Sequence, residues 1–170
     1  MAKPLRIKNL VIFDLDIQIL IGLLLTILPV FELRGGLPII IEYAIRSGVS
    51  VWPYFLLVLI LNIVVIFFVF LFFDFVHGVL MGWRWYRKVV GVVLKRLQKK
   101  VDKVRVKMDK WGYFALMFFV AVPLPGTGAW SGTMVAWVLG LNRVKSFFAI
   151  AAGVVIAGFI ILFFSLGLLS

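Results

Sequence analysis

Two long stretches of the chain are free of charged residues. Residues 51–73 form an uncharged apolar run of 23 residues, and residues 146–170 form another of 25. A helix needs about 20 mainly apolar residues to cross the hydrocarbon core of a bilayer. The pattern therefore predicts two membrane-spanning helices, and Pro53 is compatible with the first turn of the earlier one.

Each long run follows a shorter apolar stretch that a segment rich in proline and glycine interrupts. In the first half, residues 17–31 and 39–45 flank a break at 32–38 with the sequence Glu-Leu-Arg-Gly-Gly-Leu-Pro. As a helix, residues 17–31 would reach only about 22 Å, at roughly 1.5 Å per residue. Proline and glycine disfavour a continuous helix, so the pattern predicts two short helical arms joined by unwound chain.

The second half repeats this plan. Residues 111–122 and 130–141 are the apolar arms, and the break at 122–132 reads Val-Pro-Leu-Pro-Gly-Thr-Gly-Ala-Trp-Ser-Gly. Duplicated interruptions of this kind are typical of inverted-repeat transporters. The predicted fold is an all-α integral membrane protein with two repeats, residues 17–73 and 111–170. Each repeat is a re-entrant helical hairpin followed by a transmembrane helix.

A strongly basic segment lies between the repeats. Eleven of the 18 Lys and Arg residues fall within residues 84–110, where apolar residues recur at alternating steps of four and three. This spacing predicts a basic amphipathic helix in a linker that covers residues 74–110. The positive-inside rule places the basic segment in the cytoplasm of a multi-pass cell-membrane protein. The first hairpin then enters from the outer face and the second from the inner face.

This orientation leaves a conflict at the N-terminus. Residues 1–16 mix basic, acidic and apolar side chains, which predicts an arm at the membrane interface. The hairpin arrangement places that arm outside although it carries three basic residues. A single broken span through residues 17–45 would return it to the cytoplasm, and both alternatives are compatible with the sequence.

Composition agrees with a membrane protein and narrows its chemistry. The 170 residues are 64% hydrophobic, well above the share in soluble chains. The net charge of +11 is mostly local to the basic segment, where it indicates contact with anionic lipid rather than nucleic acid. There is no cysteine, no Cys/His metal spacing and no nucleophile apposed to the single histidine. We therefore expect no enzyme activity, no cofactor and no metal site.

The two breaks contain the candidate binding residues. Glu32 and Arg34 would each cost about 2.5–3.5 kcal/mol at the centre of a lipid-exposed helix, so they should face an interior and mark a pathway. We assign Arg34 to anion binding and Glu32 to proton or cation coupling; alternatively, both residues cap and neutralise the break. Helix N-termini after each break would add N–H groups that favour a phosphate or carboxylate. The candidate substrate-binding residues are Glu32, Arg34, Gly35, Gly36, Pro38, Pro125, Gly126, Thr127, Gly128 and Ser131.

Other polar and small residues lie in or near the long runs. Asp74 and His77 could relay protons as further coupling groups, or could be solvated interface residues. Asn62 is either an interhelical hydrogen-bonding group or a pore-lining one. A face of small residues in the last span, together with the seam of the basic helix, suggests a homo-oligomer. These small residues are Ala149, Ala152, Gly153, Ala157 and Gly158.

The two break sequences together resemble the small multidrug export protein family of prokaryotes. They read Glu32-Leu33-Arg34-Gly35-Gly36-Leu37-Pro38 and Pro123-Leu124-Pro125-Gly126-Thr127-Gly128-Ala129-Trp130-Ser131-Gly132, and the resemblance runs from about Ile17 onward. That family is similar to the DedA and VTT membrane proteins, whose opposed re-entrant hairpins are implicated in moving polyprenyl-phosphate carriers or phospholipids. The resemblance implies a translocation site lined by Glu32, Arg34, Pro38, Pro125, Gly126 and Thr127. This chain is shorter than typical DedA proteins and lacks the arginine they carry near the second tip.

Three functional hypotheses follow from these observations. The first is a DedA-like transporter or lipid flippase that moves an anionic headgroup, of a polyprenyl phosphate or phospholipid, with proton coupling through Glu32. The second is an exporter of small cationic drugs, for which Glu32 would be the counter-ion and Arg34 dispensable. The third is a non-transporting membrane scaffold that acts through the basic helix. In each case the expected partners are membrane lipids and a second copy of the chain.

Overall fold

The computed structural model describes residues 17–83, 111–124 and 126–169. Helices cover most of this part of the chain, which contains no strand. The predicted interfacial arm at 1–16, the basic helix at 84–110 and Pro125 lie outside the described residues. The helices are α1 (Ile17–Ile27), α2 (Glu32–Arg46), α3 (Val51–Leu80), α4 (Trp111–Ala121), α5 (Ala129–Val138) and α6 (Arg143–Leu169).

Within the described residues, α3 and α6 are long and apolar enough to cross a membrane. They pack antiparallel, because Phe55 near the start of α3 stacks on Phe159 at 5.1 Å, whereas Asp74 near its end meets Arg143. Less than half of the most apolar window of each helix is buried in the molecule. Large side chains such as Phe67 and Phe163 remain exposed, which is the pattern of helices that face lipid.

The first long helix continues past its predicted end. The uncharged run stops at residue 73, but α3 extends to Leu80 and includes Asp74 and His77. Asp74 is tolerated there because its carboxylate pairs with Arg143 of α6 and accepts a hydrogen bond from the Trp137 indole of α5. The charge therefore marks a contact between helices and not a helix end.

The pair α1 and α2 folds back on itself with very close packing. Gly36 of α2 lies against Gly22 and the Thr26 hydroxyl of α1, so closely that a Cβ at position 36 would collide with both. A Cβ at Gly22 would come within 2.5 Å of Ile40. Because later residues of α1 face earlier residues of α2, the two helices run antiparallel.

The prediction of unwound chain at 32–38 is wrong. The non-helical residues are 28–31, and α2 begins at Glu32 and continues through Pro38. Pro38 has no N–H to donate to the Arg34 carbonyl, so one helical hydrogen bond is missing. A helix with a well-packed buried face can tolerate this loss. Leu37, Ile40 and Ile41 provide that face, and all three are fully buried. Gly36 allows close packing of α1, and neither glycine of the motif opens the helix.

The second break is unwound over part of its predicted range. Residues 122–128 separate α4 from α5, and the backbone φ of Gly126 is +84°. The predicted break continued to residue 132, but α5 already begins at Ala129. Gly132 packs on Val120, and the Asn142 N–H donates to the Tyr113 hydroxyl at 3.2 Å, so α4 and α5 also run antiparallel.

The two helix pairs approach α3 from its opposite ends. The end of α2 lies beside the start of α3, where the rings of Tyr43 and Tyr54 are 5.8 Å apart. The end of α5 lies beside the other end of α3, where Trp137 donates to Asp74. The segments at 28–31 and 122–128, which we call the first and second connectors, consequently come together beside the middle of α3.

The small-residue face of the last span is used within the chain. Gly153 lies against the Met117 carbonyl and Val120 of α4, and Gly158 lies against Leu59 of α3. This face was predicted to suggest self-association. Gly153 and Gly158 admit α4 and α3 at short distance, which is the same physical use of small residues, and self-association stays a prediction.

Candidate functional site

Glu32 joins the first helix pair to the second. It is the first residue of α2, and its φ of +49° lies in the left-handed region that residues with a side chain rarely adopt. Its carboxylate oxygens Oε2 and Oε1 accept hydrogen bonds from the N–H groups of Ala129 and Trp130, each at 3.0 Å. These N–H groups belong to the first turn of α5 and would otherwise lack helical partners. Glu32 therefore caps α5 from another part of the chain.

Gly128 provides the space that this cap requires. A Cβ at position 128 would collide with the Glu32 carboxylate. Ser131 completes the cap locally, because its hydroxyl accepts a hydrogen bond from the Gly128 N–H at 2.7 Å. A negative charge at a helix N-terminus is also favoured by the helix dipole. Glycine is needed at position 128 because any side chain would occupy the space of the Glu32 carboxylate.

Arg34 performs the complementary task at the end of α4. Its guanidinium donates to the Val122 carbonyl at 2.9 Å, to the Thr127 hydroxyl at 2.8 Å and, more weakly, to the Val120 carbonyl at 3.5 Å. The last carbonyls of a helix have no helical partner and carry partial negative charge. One turn of α2 thus supplies an anion to the start of α5 and a cation to the end of α4.

The hydroxyl of Thr127 is also engaged within the second connector. Thr127 Oγ1 lies 2.7 Å from the Val122 carbonyl and 3.0 Å from the Leu124 carbonyl. It accepts the Arg34 hydrogen bond and has one proton to donate to these carbonyls. Thr127 and Ser131 were predicted to contact a substrate. Their hydroxyls form hydrogen bonds with the second connector and, for Thr127, also with Arg34.

The remaining predicted site residues have different environments. Gly35 lies against the Phe31 side chain and Gly36 is packed on α1, so neither faces a cavity with free N–H groups. Gly126 has open space around it. Pro38 lines a groove described below.

A small cavity lies between the start of α2, the middle of α3, the start of α5 and α6. The side chains of Glu32, Arg34 and Asn62 contribute to its wall, with apolar and small residues elsewhere. Asn62 is buried and donates to the Thr26 carbonyl of α1 at 3.1 Å. The polar residue in the middle of α3 therefore makes an interhelical hydrogen bond and also borders the cavity.

A larger groove begins on the other side of Arg34 and follows α6. Its volume is about 380 Å³, which is within the usual range of small-molecule sites. Arg34 is the charged residue among its described lining residues, and the walls are mainly aliphatic and aromatic. The other lining residues are Pro38, Pro123, Ile160, Ile161, Phe164 and Ser165.

Asp74 and His77 do not join this site. Asp74 is held in a bidentate pair with Arg143, at 2.6 and 2.9 Å, and by the Trp137 indole at 2.9 Å. The His77 ring packs against Trp137 at 5.2 Å. This cluster ties together α3, α5 and α6 at the end of α3 that is remote from the connectors.

The sequence analysis did not identify the role of Trp130. Its indole N–H donates to the Ile27 carbonyl at 3.0 Å, which satisfies the end of α1 from the start of α5. An aromatic residue with a polar edge inside a glycine-rich break was the available signal. Among the described residues, no group of acidic, histidine or cysteine side chains could hold a metal ion.

Comparison with known protein families finds a match over most of the chain. A family model described as "Putative small multi-drug export protein" matches residues 32–160. The match begins at the residue that caps α5 and includes both partners of every contact between α2 and the second connector. No curated protein and no solved structure matches the chain.

Proposed function

We propose that the chain, which belongs to the small multi-drug export protein family, is a membrane transporter that moves an anionic lipid or another phosphate-bearing amphiphile. The proposed route passes the two connectors, with Arg34 as the residue that attracts the headgroup. The two helix pairs are re-entrant hairpins in this proposal, and the two halves of the chain form an inverted repeat.

The groove along α6 is the observation that carries this proposal. The groove combines one guanidinium with a mainly apolar wall. It runs along α6, whose neighbouring apolar side chains are exposed, as expected of a surface that faces lipid. A molecule with one negative headgroup and hydrocarbon chains matches such a surface, because an arginine binds phosphate oxygens through several N–H donors. A small cation would meet the charge of Arg34 and gain nothing from it.

The arrangement of the helix pairs supports the re-entrant geometry. Both pairs fold back antiparallel, which favours a hairpin over a single broken span through residues 17–45. Neither connector has the regular hydrogen-bond pattern of a helix. Such backbone is tolerated at membrane depth only inside protein or beside water. With the basic segment 84–110 in the cytoplasm, the first pair enters from outside and the second from inside.

Glu32 is less suited to the alternative function of binding cationic drugs. Both of its oxygens already accept hydrogen bonds from α5, and Glu32 is only 6% exposed. A drug cation would have to compete with these bonds. The family description nevertheless names drugs, so the test must include a cationic substrate.

The proposal is tested by transfer assays in proteoliposomes. A labelled polyprenyl phosphate and a labelled cationic dye are offered in parallel to the parent protein and to variants. We expect transfer of the phosphate lipid by the parent, loss of at least about tenfold in Arg34→Ala, equivalent to about 1.4 kcal/mol, and partial retention in Arg34→Lys. Arg46→Ala is the matched control, because Arg46 is an exposed arginine of the same helix that pairs with Glu42.

A second pair of variants avoids disturbing the cap of α4. Ile160→Trp fills the groove, whereas Ile156→Trp adds the same volume one turn earlier on α6 at a comparably exposed position. We expect only Ile160→Trp to lose lipid transfer. Normal lipid transfer by Ile160→Trp and Arg34→Ala would refute the lipid route, and dye transport that depends on Glu32 alone would establish the cationic alternative.

A further inference from the structure

One buried polar atom next to the candidate site has no hydrogen-bond partner. Asn62 is 1% exposed, and its Nδ2 group donates to the Thr26 carbonyl. The carbonyl oxygen of the same side chain, Oδ1, is buried and receives no hydrogen bond from the described residues. Leaving such an acceptor unsatisfied costs about 1–3 kcal/mol, so it requires an explanation.

The small cavity beside Asn62 offers one. Asn62, Glu32 and Arg34 are among the residues that line it, and it leaves about 10 Å³ for the centre of a water molecule. This volume is close to the minimum that one water requires, and a buried water typically has two to four polar partners. Three polar side chains from α2 and α3 border this space.

The charges around the cavity select its occupant. A cation would be repelled by the Arg34 guanidinium, and an anion would be repelled by the Glu32 carboxylate and by the carbonyl oxygen of Asn62. Water can donate to Asn62 Oδ1 and Glu32 while it accepts from Arg34, because it has both donors and acceptors. We propose that this cavity is a binding site for one structural water molecule that links Asn62 of α3 to Glu32 and Arg34 of α2.

This water would lie behind Arg34 as seen from the groove. Arg34 borders both spaces, the small cavity on one side and the larger groove on the other. A buried water would therefore hydrate the guanidinium from the interior and leave the groove side to another ligand. The inference concerns hydration of the folded protein and does not depend on transport.

The test is water-edited solid-state NMR on the full chain in phospholipid bilayers. The sample carries ¹⁵N in asparagine and isoleucine, and magnetisation is transferred from water protons to the protein. We expect build-up at the Asn62 side-chain nitrogen to be several-fold faster than at the backbone amide of Ile66. Ile66 is 0% exposed and lies one turn along α3 without bordering the cavity, so it is the dry reference.

Two controls make the result decisive. The Asn62 signal is assigned by its disappearance in Asn62→Leu, and the exposed side chain of Asn142, directly before α6, is the wet reference. Build-up at Asn62 as slow as at Ile66 would overturn the proposal. Density for a water within hydrogen-bond distance of Asn62 Oδ1 in an experimental structure would independently support it, and a resolved but empty cavity would overturn it.

Discussion

The two connectors belong to proline- and glycine-containing segments, residues 28–38 and 122–132, but have opposite structural roles. The first, residues 28–31, is a short turn, and the Glu-Leu-Arg-Gly-Gly-Leu-Pro motif that follows it is helical. In the second, the described residues 122–124 and 126–128 are not helical and lie between two helix ends. Glu32 and Arg34 of the first helix pair form hydrogen bonds with the backbone groups at those ends. Proline and glycine therefore open the chain only where side chains from elsewhere can replace the lost helical hydrogen bonds.

The largest effect is expected from removing the cap that the first helix pair gives to the second. Glu32→Ala loses two hydrogen bonds to a carboxylate, each worth about 1.5–3 kcal/mol, and leaves the N–H groups of Ala129 and Trp130 unpaired. We expect the free energy of unfolding to fall by about 3–5 kcal/mol, less any relief of strain at position 32. Unfolding by denaturant in mixed micelles measures this change.

The matched control for this prediction is Glu42→Ala. Glu42 lies on the same helix but pairs with Arg46 at an exposed position, where such a pair contributes about 0.5 kcal/mol or less. If Glu32→Ala proves as mild as Glu42→Ala, the cap does not stabilise the connector, and the contrast between the two connectors fails.

An intermediate effect is expected at the glycines. Gly36→Ala would push a methyl group into the Gly22 carbonyl and the Thr26 hydroxyl, so we expect a loss of about 2–3 kcal/mol, near the upper end for overpacking. Gly126→Ala meets open space, but its positive φ should cost about 1 kcal/mol. Thermal unfolding of both variants tests whether glycine is required by close packing in the first helix pair and by backbone conformation in the second. Equal losses would contradict that distinction.

The smallest effect is expected at the proline of the first motif. Pro38→Ala restores an N–H that can bond the Arg34 carbonyl within α2, so stability should rise by up to about 1 kcal/mol. Pro53→Ala, in the first turn of α3, should change little, because no helical hydrogen bond is missing there. A marked loss of stability in Pro38→Ala would contradict this expectation and show that contacts of the proline ring outweigh the missing hydrogen bond.

The sequence was sufficient to locate the helices with uninterrupted apolar runs. Both long helices were predicted from the absence of charge and from length alone. The end of α3 was placed too early, because Asp74 finds its partners in Trp137 and Arg143, far along the chain. Hydropathy registers the cost of a charge but not the contact that offsets it.

The candidate site was predictable only in its charged residues. Glu32 and Arg34 stood out because ionisable residues are rare in apolar sequence. Their partners lie 86 to 98 positions away, so no local pattern could identify them. The conformation of residues 32–38 was mispredicted because the presence of Gly36 is explained by its packing against α1, and hydropathy does not report such a contact. That Arg34 binds an anion and Glu32 couples protons stays a prediction.

The cap of α5 by Glu32 also bears on biosynthesis. Translation proceeds from the N-terminus, so α2 emerges well before the N–H groups of Ala129 and Trp130 exist. Until then the carboxylate and the Arg34 guanidinium must be hydrated or held by another protein, because hydrocarbon offers them no partner. The nascent first half is thus an unfinished membrane protein, and its completion depends on the last third of the polypeptide.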